Sequence, residues 1–189
     1  MIKKLIISGM TLVGFGAIAE ADVKIGNPMA RTGPIPELVK PMSAAVDLAV
    51  EHVNDQGGLF SDGQKYIAVK VDSGCDPVAA VDAVNKLINI EMVVGLVGPV
   101  CSGATIAQAE SQSIPAGVVT LSVSASSPAI SEMENGTDLV FRTAASDAYQ
   151  GIALAELAMS KGLKDIAVSY ANDDYNAAIA GVFTKAFTS

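Results

Sequence analysis

Apolar and polar residues are arranged along the chain in two alternating patterns, which predict strands and helices in turn. Short runs are continuously apolar, or apolar at every second position, as in the strands of a parallel sheet. Longer stretches between them carry apolar residues three or four positions apart, as on one face of a helix. The predicted strands cover residues 23–26, 66–71, 92–97, 118–123, 139–141 and 166–170. The predicted helices cover residues 41–54, 77–88, 102–112, 152–160 and 174–187, and a helical turn begins at Ser126.

Residues that favour helix ends stand at several of these boundaries. Asp76 and Pro77 suit the N-cap and the first position of the second helix. Pro41 suits the first turn of the first helix, where its missing N–H would be unpaired anyway. Asp147 and Gln150 have the spacing of a capping box ahead of the fourth long helix. These signals support a regular alternation of strand and helix.

This alternation predicts an α/β fold, namely a doubly wound parallel sheet with helices on both faces. In such folds a ligand binds beyond the carboxyl ends of the strands, at the point where the strand order reverses. Three loops qualify by that rule, because they follow the first, third and fourth predicted strands. They are residues 28–36, 98–104 and 122–128.

Two of these loops have residues suited to a small charged ligand. Residues 98–105 lead directly into a helix, whose first N–H groups and positive dipole end favour an anion, and Ser102 adds a hydroxyl donor. Residues 122–128 contain four serines, which offer hydroxyl donors beside backbone carbonyl acceptors. Together the loops could hold a carboxylate and an ammonium, although hydroxyl-rich loops also serve simply as N-caps. In the first loop, Arg31 is either a solvated charge or a partner for a second anionic group.

The N-terminus has the three parts of a secretory signal peptide. Two lysines form a basic start, residues 5–18 are an uncharged apolar run, and Ala19-Glu20-Ala21 has the small-x-small pattern of a cleavage site. The apolar run is shorter than the roughly 20 residues that cross a membrane. We therefore predict a cleaved signal peptide over residues 1–21 and an exported chain that begins at Asp22. An uncleaved anchor and a core strand are the alternatives.

Charge and composition narrow the functional classes. The 189 residues carry a formal net charge of −8, which disfavours nucleic-acid binding because that function needs a basic surface. Apolar residues make up 50% of the chain and charged residues only 17%, so a packed globular core is expected rather than disorder.

The two cysteines are interpreted in the light of export. Cys75 and Cys101 do not form a C-x-x-C pair, and in an oxidising compartment a structural disulfide between them is the default. The alternative is Cys101 as a nucleophile, which needs a base. The single histidine of the chain is His52, on a different predicted element, so this alternative has little support.

Sequence motifs of the common enzyme classes are absent. The chain lacks G-x-S-x-G, H-E-x-x-H, G-x-x-x-x-G-K-[ST] and, after the first strand, G-x-G-x-x-G. One histidine cannot supply a metal cluster, and the acidic pair Asp173-Asp174 suits a helix start. We therefore predict no enzyme activity, catalytic residue, metal or cofactor. A periplasmic hydrolase that uses Ser102 is the less favoured alternative.

A series of short motifs resembles the periplasmic branched-chain amino-acid-binding proteins of ABC transporters, which have the type I solute-binding fold. The resemblance runs from Asp22 to about Ala180, and the ordered series is more specific than any one piece. The matching pieces are Thr32-Gly33, Ala49-Val50 through Asn54 with Gly57-Gly58, Asp72 to Pro77, Gly98 to Thr105, Ser122 to Pro128, Arg142-Thr143, and Asp147 with Gln150-Gly151. The resemblance also implies a disulfide between Cys75 and Cys101.

The resemblance further implies which residues hold the ligand. Ser102 matches the serine whose hydroxyl and amide bind the ligand's α-carboxylate. Ser124 and Ala125 match small residues whose backbone binds the α-ammonium. Ser126 stands where the family commonly has a threonine that binds through both its backbone and its hydroxyl. Tyr175 matches a tyrosine of the second lobe that closes over the ligand.

Expectations for domains, ligand and partners follow from the same resemblance. Family members are about twice as long, so residues 22–144 would be the N-terminal ligand-binding lobe and residues 145–189 the start of a truncated second lobe. The chain is then a fragment, or a partner chain completes it. The implied function is the periplasmic capture of a small, branched-chain or other aliphatic amino acid for the membrane permease of an ABC transporter.

Two positions depart from the family pattern and leave the ligand open. Leu38 stands near the place of a common aromatic residue, and Asn176 replaces a common glycine. The alternative is therefore a receptor for another small ligand, such as an amide, a urea-like compound or an aromatic acid. A regulatory ligand-binding lobe of a membrane receptor is a further alternative.

Overall fold

The computed structural model describes residues 22–59, 63–133 and 138–189. The predicted signal peptide, residues 1–21, lies outside the described residues. In chain order the elements are β1 (Val23–Met29), α1 (Pro36–Asp55), β2 (Tyr66–Asp72), α2 (Pro77–Asn89), β3 (Gly95–Val97), α3 (Ser102–Gln108), a π-helical turn (Ala109–Ser113), α4 (Ile114–Ala116), β4 (Val119–Ser122), α5 (Ala129–Glu132), β5 (Val140–Arg142), α6 (Asp147–Ser160) and α7 (Asp174–Thr188). No helix in this described part is long and apolar enough to span a lipid bilayer.

The five strands form one parallel sheet in the order β2-β1-β3-β4-β5. Ile25 of β1 pairs with Ala68 of β2 on one side and with Gly95 of β3 on the other. The chain therefore moves first to one side of β1 and then to the other, so the strand order reverses between β1 and β3. This is the doubly wound α/β architecture that the sequence predicts, and it creates a crevice beyond the ends of these two strands.

Helices cover both faces of the sheet. Leu96 of β3 packs with Leu87 of α2, whereas its neighbour Val97 packs against the cluster that contains Val46 of α1. Successive side chains of a strand point to opposite faces, so α1 and α2 lie on opposite sides of the sheet. A third cluster, which includes Ile130 of α5, covers the β5 end.

Several elements differ from their predicted bounds, among them α1 and β3. α1 begins at Pro36 rather than Pro41, because Pro36 already provides a proline at the start of the helix and Pro41 lies inside it. β3 contains only Gly95–Val97, and it pairs with β1 at two positions. Met92 and Val94 are 71% and 62% exposed, so the apolar run ahead of β3 is not a strand buried on both faces.

The predicted helix starts are correct for α2 and α7 and wrong for α6. The carboxylates of Asp76 and Asp173 each accept a hydrogen bond from a first-turn N–H group, in both cases at 2.8 Å. At α6 the N-cap is Ser146, whose hydroxyl oxygen accepts a first-turn N–H at 3.3 Å. Asp147 does not cap α6, because its carboxylate is turned to Ser126 instead.

Residues 145–189 form a pair of packed helices rather than a second sheet. Gly151 of α6 permits their close approach, since a Cβ there would lie 2.6 Å from Cγ1 of Val182 in α7. The predicted sixth strand at residues 166–170 is wrong, because residues 163–171 have no regular secondary structure. A strand needs hydrogen-bonded neighbours, and no strand of the described part pairs with this segment.

Candidate functional site

The crevice where the strand order reverses is bounded by the loops after β1, β3 and β4. The loop after β3 begins with a cis peptide bond between Gly98 and Pro99. Gly98 has a φ of +123°, and a Cβ on it would overlap the carbonyl oxygen of Pro28 at the end of β1. Glycine accommodates both this conformation and this contact. The loop after β3 is therefore in direct contact with the end of β1 at the crevice.

A disulfide bond anchors the loop after β3. Cys75, which follows β2, is bonded to Cys101, which precedes α3, and their Cα atoms are 5.4 Å apart. The predicted pairing is confirmed, and Cys101 is not available as a nucleophile. In the chain-entropy model, closing a loop of this length stabilises the fold by about 3 kcal/mol. Because Cys101 directly precedes Ser102, the bond fixes the start of α3.

Ser102 lies between the loops after β3 and β4 and connects them. It is 2% exposed, and its hydroxyl oxygen accepts hydrogen bonds from the N–H groups of Ser126 and Ser127, each at 3.3 Å. Within the described residues its hydroxyl donates to no acceptor. Thr105 is the first α3 residue whose N–H is bonded, at 2.9 Å to the Cys101 carbonyl, so the three N–H groups before it lack partners in the described part. Four hydrogen-bond donors are thus available at the start of α3.

The loop after β4 supplies hydrogen-bond acceptors. The Ser124 hydroxyl donates to the Val100 carbonyl at 2.9 Å, which ties this loop to the loop after β3. Ala125 is 1% exposed, and its N–H donates to the Ser122 hydroxyl at 3.1 Å. The carbonyl groups of Ser124 and Ala125 accept no hydrogen bond from the described residues. They are therefore available to a donor such as an ammonium group.

Asp147 is a buried acidic residue at this loop, which the sequence pattern identified only as a helix cap. It is 5% exposed, and its Oδ2 accepts the hydroxyl proton of Ser126 at 2.7 Å. Its N–H donates to the Ser126 carbonyl at 2.9 Å. Its second carboxylate oxygen has no donor among the described residues. A buried carboxylate is stabilised by a positive partner, so Asp147 is a candidate to contact a ligand ammonium. Asp147 follows β5, and ligands of this fold bind beyond the carboxyl ends of the strands, so its position could have identified it as a site residue.

Arg142 and Thr143 hold the loop after β4 through its backbone. The Arg142 guanidinium donates to the Ser127 carbonyl at 2.8 Å and to the Ser131 hydroxyl at 2.6 Å. The Thr143 hydroxyl donates to the Val123 carbonyl at 2.9 Å. The sequence shows this Arg-Thr pair as a motif, but no residue pattern specifies that two of its three acceptors are backbone carbonyls of the loop.

Asp72, at the end of β2, holds the loop after β1. Its carboxylate accepts the N–H groups of Arg31, Thr32 and Gly74 at 2.8, 3.2 and 3.0 Å, and also the Thr32 hydroxyl. Burial raises the pKa of Asp72, but these hydrogen bonds outweigh burial and hold the pKa below its ordinary value of 3.8. The charged carboxylate therefore stabilises this loop.

Arg31 belongs to the body of the lobe rather than to the ligand loops. Its guanidinium donates to Asn27 Oδ1 at 2.6 Å and to Ser43 Oγ at 2.9 Å. It thereby bridges β1 and α1 and is not a freely solvated charge. Because the guanidinium is bonded within the fold, the structure does not support the other expectation, that Arg31 binds a second anionic group of the ligand.

The start of α7 reaches the same crevice. The Asp174 carboxylate lies against Gly103, where a Cβ would overlap its Oδ2 and lie 3.4 Å from its Cγ. Tyr175 is the next residue and is 41% exposed, and within the described part no hydrogen bond joins it to the loops after β3 and β4. Of the predicted ligand residues, the structure thus brings four together and places Tyr175 nearby. The four are Ser102, Ser124, Ala125 and Ser126.

Two clefts elsewhere on the molecule are lined by residues that do not belong to the crevice. One cleft of about 510 Å³ lies between residues 164–168 and the end of α7, and another of about 500 Å³ lies between α6 and α7. Neither includes a residue of the loops after β3 and β4. In the described part of the chain, no group of three His, Cys, Asp or Glu side chains is placed to hold a metal ion. The candidate site is therefore assigned by its donors and acceptors rather than by cavity size.

A protein-family model described as "Periplasmic binding protein" matches residues 22–189. The chain belongs to this family. It is 32% identical over 176 residues to the leucine-, isoleucine-, valine-, threonine-, and alanine-binding protein of Pseudomonas aeruginosa, an alignment that covers 92% of this chain and 46% of the relative. It is 28% identical over 159 residues to the Leu/Ile/Val-binding protein of Escherichia coli K12, covering 84% of this chain and 42% of the relative.

Solved structures show the same fold. A leucine binding protein from Thermotoga maritima superposes with a TM-score of 0.75 at 24% identity, covering 88% of this chain and 45% of that one. A solute binding protein from Rhodopseudomonas palustris in complex with 3,4-dihydroxy benzoic acid gives 0.72 at 20% identity, covering 88% and 44%. This chain spans about half the length of the relatives it matches. A family of binding proteins supports, at family level, the prediction that the chain is not an enzyme.

Proposed function

We propose that this chain is part of a periplasmic solute-binding protein that captures a small aliphatic α-amino acid. The observation that carries the proposal is the state of Ser102. It is 2% exposed, accepts two N–H groups of the loop after β4, and keeps its own proton free of any acceptor in the described residues. A buried hydroxyl without an acceptor, next to three unbonded N–H groups, suits the carboxylate of a ligand.

The other half of an amino acid fits the opposite loop. The free carbonyl groups of Ser124 and Ala125 can accept hydrogen bonds from an α-ammonium, and Ser126 lies next to them. The Asp147 carboxylate, 2.7 Å from the Ser126 hydroxyl, adds a negative charge on this side. Donors at α3 and acceptors at the loop after β4 thus match the two charged groups that all α-amino acids share. The ligand side chain would lie outside this polar pair, and Leu38, an exposed residue in the first turn of α1, is a candidate to contact it.

Binding would be completed by residues 145–189, which we assign to a second lobe, against residues 22–144 as the first. α7 starts beside Gly103, and we assign Tyr175, the second residue of α7, to the mouth of the crevice. Closure of one lobe over the other would exclude water from the ligand and strengthen its hydrogen bonds. The first lobe would then bind the carboxylate and provide the carbonyl groups for the ammonium, and the second would add the Asp147 charge and seal the site.

A substitution of Ser102 tests this assignment. Ser102→Ala should weaken the binding of leucine by more than tenfold, because a hydroxyl bond to a charged carboxylate contributes roughly 1.5–3 kcal/mol. The measurement is isothermal titration calorimetry on the full product of the gene that encodes this chain. Ser111→Ala is the matched control, because Ser111 is an exposed serine of the same helical segment whose hydroxyl bonds to the Ala107 carbonyl.

The calorimetric results distinguish three conclusions about the site and its ligand. Loss of leucine binding in Ser102→Ala, with normal binding in Ser111→Ala, supports the assignment. Equal affinity in Ser102→Ala and the unaltered protein would place the carboxylate elsewhere. No heat with leucine or other aliphatic amino acids in the unaltered, folded protein would reject the proposed ligand class.

A second candidate ligand is an aromatic acid. Its support is the similarity of fold to two Rhodopseudomonas palustris proteins, solved with 3,4-dihydroxy benzoic acid and with 4-hydroxybenzoate at TM-scores of 0.72 and 0.73. The donors at α3 would serve the carboxylate of such a ligand equally well. The acceptors of the loop after β4 and Asp147 favour the amino acid, because a benzoate has no ammonium to place there. Titration with 4-hydroxybenzoate in the same calorimeter decides between them.

The proposed function also implies a compartment and a partner. We place the protein in the periplasm, after cleavage of residues 1–21, where the Cys75–Cys101 disulfide would persist. The closed, ligand-loaded form would deliver the amino acid to the membrane permease of an ABC transporter. Mass spectrometry of the mature N-terminus checks the export step, and a starting residue of Asp22 is expected.

A further inference from the structure

Asp174 is an acidic residue at the crevice that the proposed function does not use. It is the first residue of α7, and its Oδ2 lies so close to Gly103 that a side chain at position 103 would overlap it. The neighbouring Asp173 is occupied as the N-cap, bonded to the N–H and the side-chain amide of Asn176 at 2.8 and 2.7 Å. Asp174 has no such task and no ion-pair partner among the described residues.

The position of Asp174 places a negative charge next to the donors meant for a ligand carboxylate. Gly103 directly follows Ser102, and its N–H is one of the three that lack an acceptor in the described part. Asp147 adds a second carboxylate on the Ser126 side, and this one is buried, whereas Asp174 is exposed. Arg142, the cation that contacts the loop after β4, is already committed to the Ser127 carbonyl and the Ser131 hydroxyl. The crevice therefore has donors for an anion but a negative local charge.

We propose that Asp174 is a specificity-determining residue, whose carboxylate against Gly103 excludes net-anionic ligands and favours zwitterionic amino acids. This inference rests on the proposed amino-acid site. A ligand whose only charged group is a carboxylate is repelled by the Asp174 carboxylate and has no positive charge to offset that repulsion. A zwitterion brings its own positive charge, which Asp147 and the carbonyl groups of the loop after β4 can stabilise. Like charges a few ångströms apart near a protein surface repel strongly enough to change binding constants at least tenfold.

The sharpest test uses two ligands that differ in the ammonium group alone. Leucine and 4-methylpentanoate have the same aliphatic skeleton and carboxylate, so the ratio of their affinities measures the contribution of charge. Asp174→Asn keeps the size of the side chain and removes its charge. Asp173→Asn is the matched control, because it removes the same charge one position away, and asparagine is an equally good N-cap.

We expect Asp174→Asn to reduce the preference for leucine over 4-methylpentanoate at least tenfold, mainly by tightening 4-methylpentanoate. Asp173→Asn should leave the ratio within about twofold, since the Asp173 carboxylate is held by Asn176 rather than against Gly103. Calorimetry gives the affinities. The ¹⁵N–¹H shifts of Ser102, Gly103 and Ala104 show whether the carboxylate binds at the start of α3. Raising the salt concentration to 1 M should narrow the difference between the unaltered protein and Asp174→Asn.

Each outcome bears on one conclusion. An unchanged ratio in Asp174→Asn, or the same change in Asp173→Asn, overturns the role of Asp174. Weaker leucine binding in Asp174→Asn also overturns it, because the residue would then hold the ammonium. If leucine fails to bind while 4-methylpentanoate shifts these amides in Asp174→Asn only, the proposed function fails and the exclusion stands. If neither ligand shifts them in any variant, the exclusion is also rejected.

Discussion

Residues 22–144 and residues 145–189 both carry apolar runs with strand and helix periodicity, yet they bury these runs very differently. In the first region Leu96 and Leu87 are 2% and 0% exposed. In the second, Val168 and Leu157 are 42% and 53% exposed. The first region contains five strands that pair with one another, while residues 163–171 of the second pair with none. An apolar period is thus necessary for a strand but not sufficient, because the hydrogen bonds come from neighbours.

The two regions also contribute differently to the candidate site. The first region provides its donors and acceptors on loops held by a disulfide, by Arg142 and by Asp72. The second provides two carboxylates, that of Asp147 at the start of α6 and that of Asp174 at the start of α7, together with Tyr175. If the comparison is valid, perturbations of the first region should destabilise the fold, and equivalent perturbations of the second should have little effect.

The largest effect is expected from the same substitution made once in each region. Leu87→Ala removes a fully buried side chain from the core of α2 and should lower the free energy of unfolding by about 4 kcal/mol. Leu157→Ala, in the exposed face of α6, should lower it by less than about 0.5 kcal/mol. Urea denaturation followed by circular dichroism measures both. Similar losses in the two variants would show that the second region has a core of its own.

The second effect concerns the disulfide of the first region. The double variant Cys75→Ser/Cys101→Ser should be about 3 kcal/mol less stable than the oxidised protein in the same urea experiment. Amide hydrogen exchange at residues 163–171 should not change, because that segment is not connected to the core by the bond. A reductant serves as control, since it should destabilise the unaltered protein and leave the double variant unaffected. Faster exchange throughout residues 145–189 in the double variant would contradict the separation of the two regions.

The smallest effect is a difference in acid sensitivity between Asp72 and Asp173. Burial acts to raise the pKa of Asp72, and its hydrogen bonds outweigh this, so the net pKa lies below 3.8. The Asn176 N–H lowers the pKa of Asp173 in the same direction. For both, the stabilisation is fully present above the unfolded-state pKa and is lost as the pH falls through the lower folded-state pKa.

Asp72→Asn should therefore flatten the loss of stability between pH 5 and pH 2 more than Asp173→Asn does. The physical reason is that Asp72 organises a loop of the sheet, whereas Asp173 caps an exposed helix start. Thermal unfolding measured across that pH range compares the variants. A larger flattening in Asp173→Asn would mean that the helix pair contributes more to global stability than its burial indicates.

Sequence reasoning succeeded where a signal was local or where many signals agreed. Asp76 and Asp173 were identified as caps from their position alone, and the doubly wound parallel sheet followed from strand–helix alternation. It failed at residues 166–170 because β-structure depends on partners distant in the chain. It also missed Asp147 as a site residue, since a cap and a buried carboxylate have the same local sequence pattern. The start of α1 was displaced because two prolines, Pro36 and Pro41, both suit a first helical turn.

The hydrogen bonds of Ser102 have a consequence for how this protein could change its ligand. Ser102 holds the neighbouring loop by the main-chain N–H groups of positions 126 and 127, and not by their side chains. Substitutions at those two positions can therefore alter the chemistry of the crevice without releasing the loop. The group that would bind the carboxylate, Ser102, and the side chains that would distinguish one ligand from another, at positions 126 and 127, can therefore change independently. Such a division lets new selectivities arise by single replacements while the architecture that supports them is inherited intact.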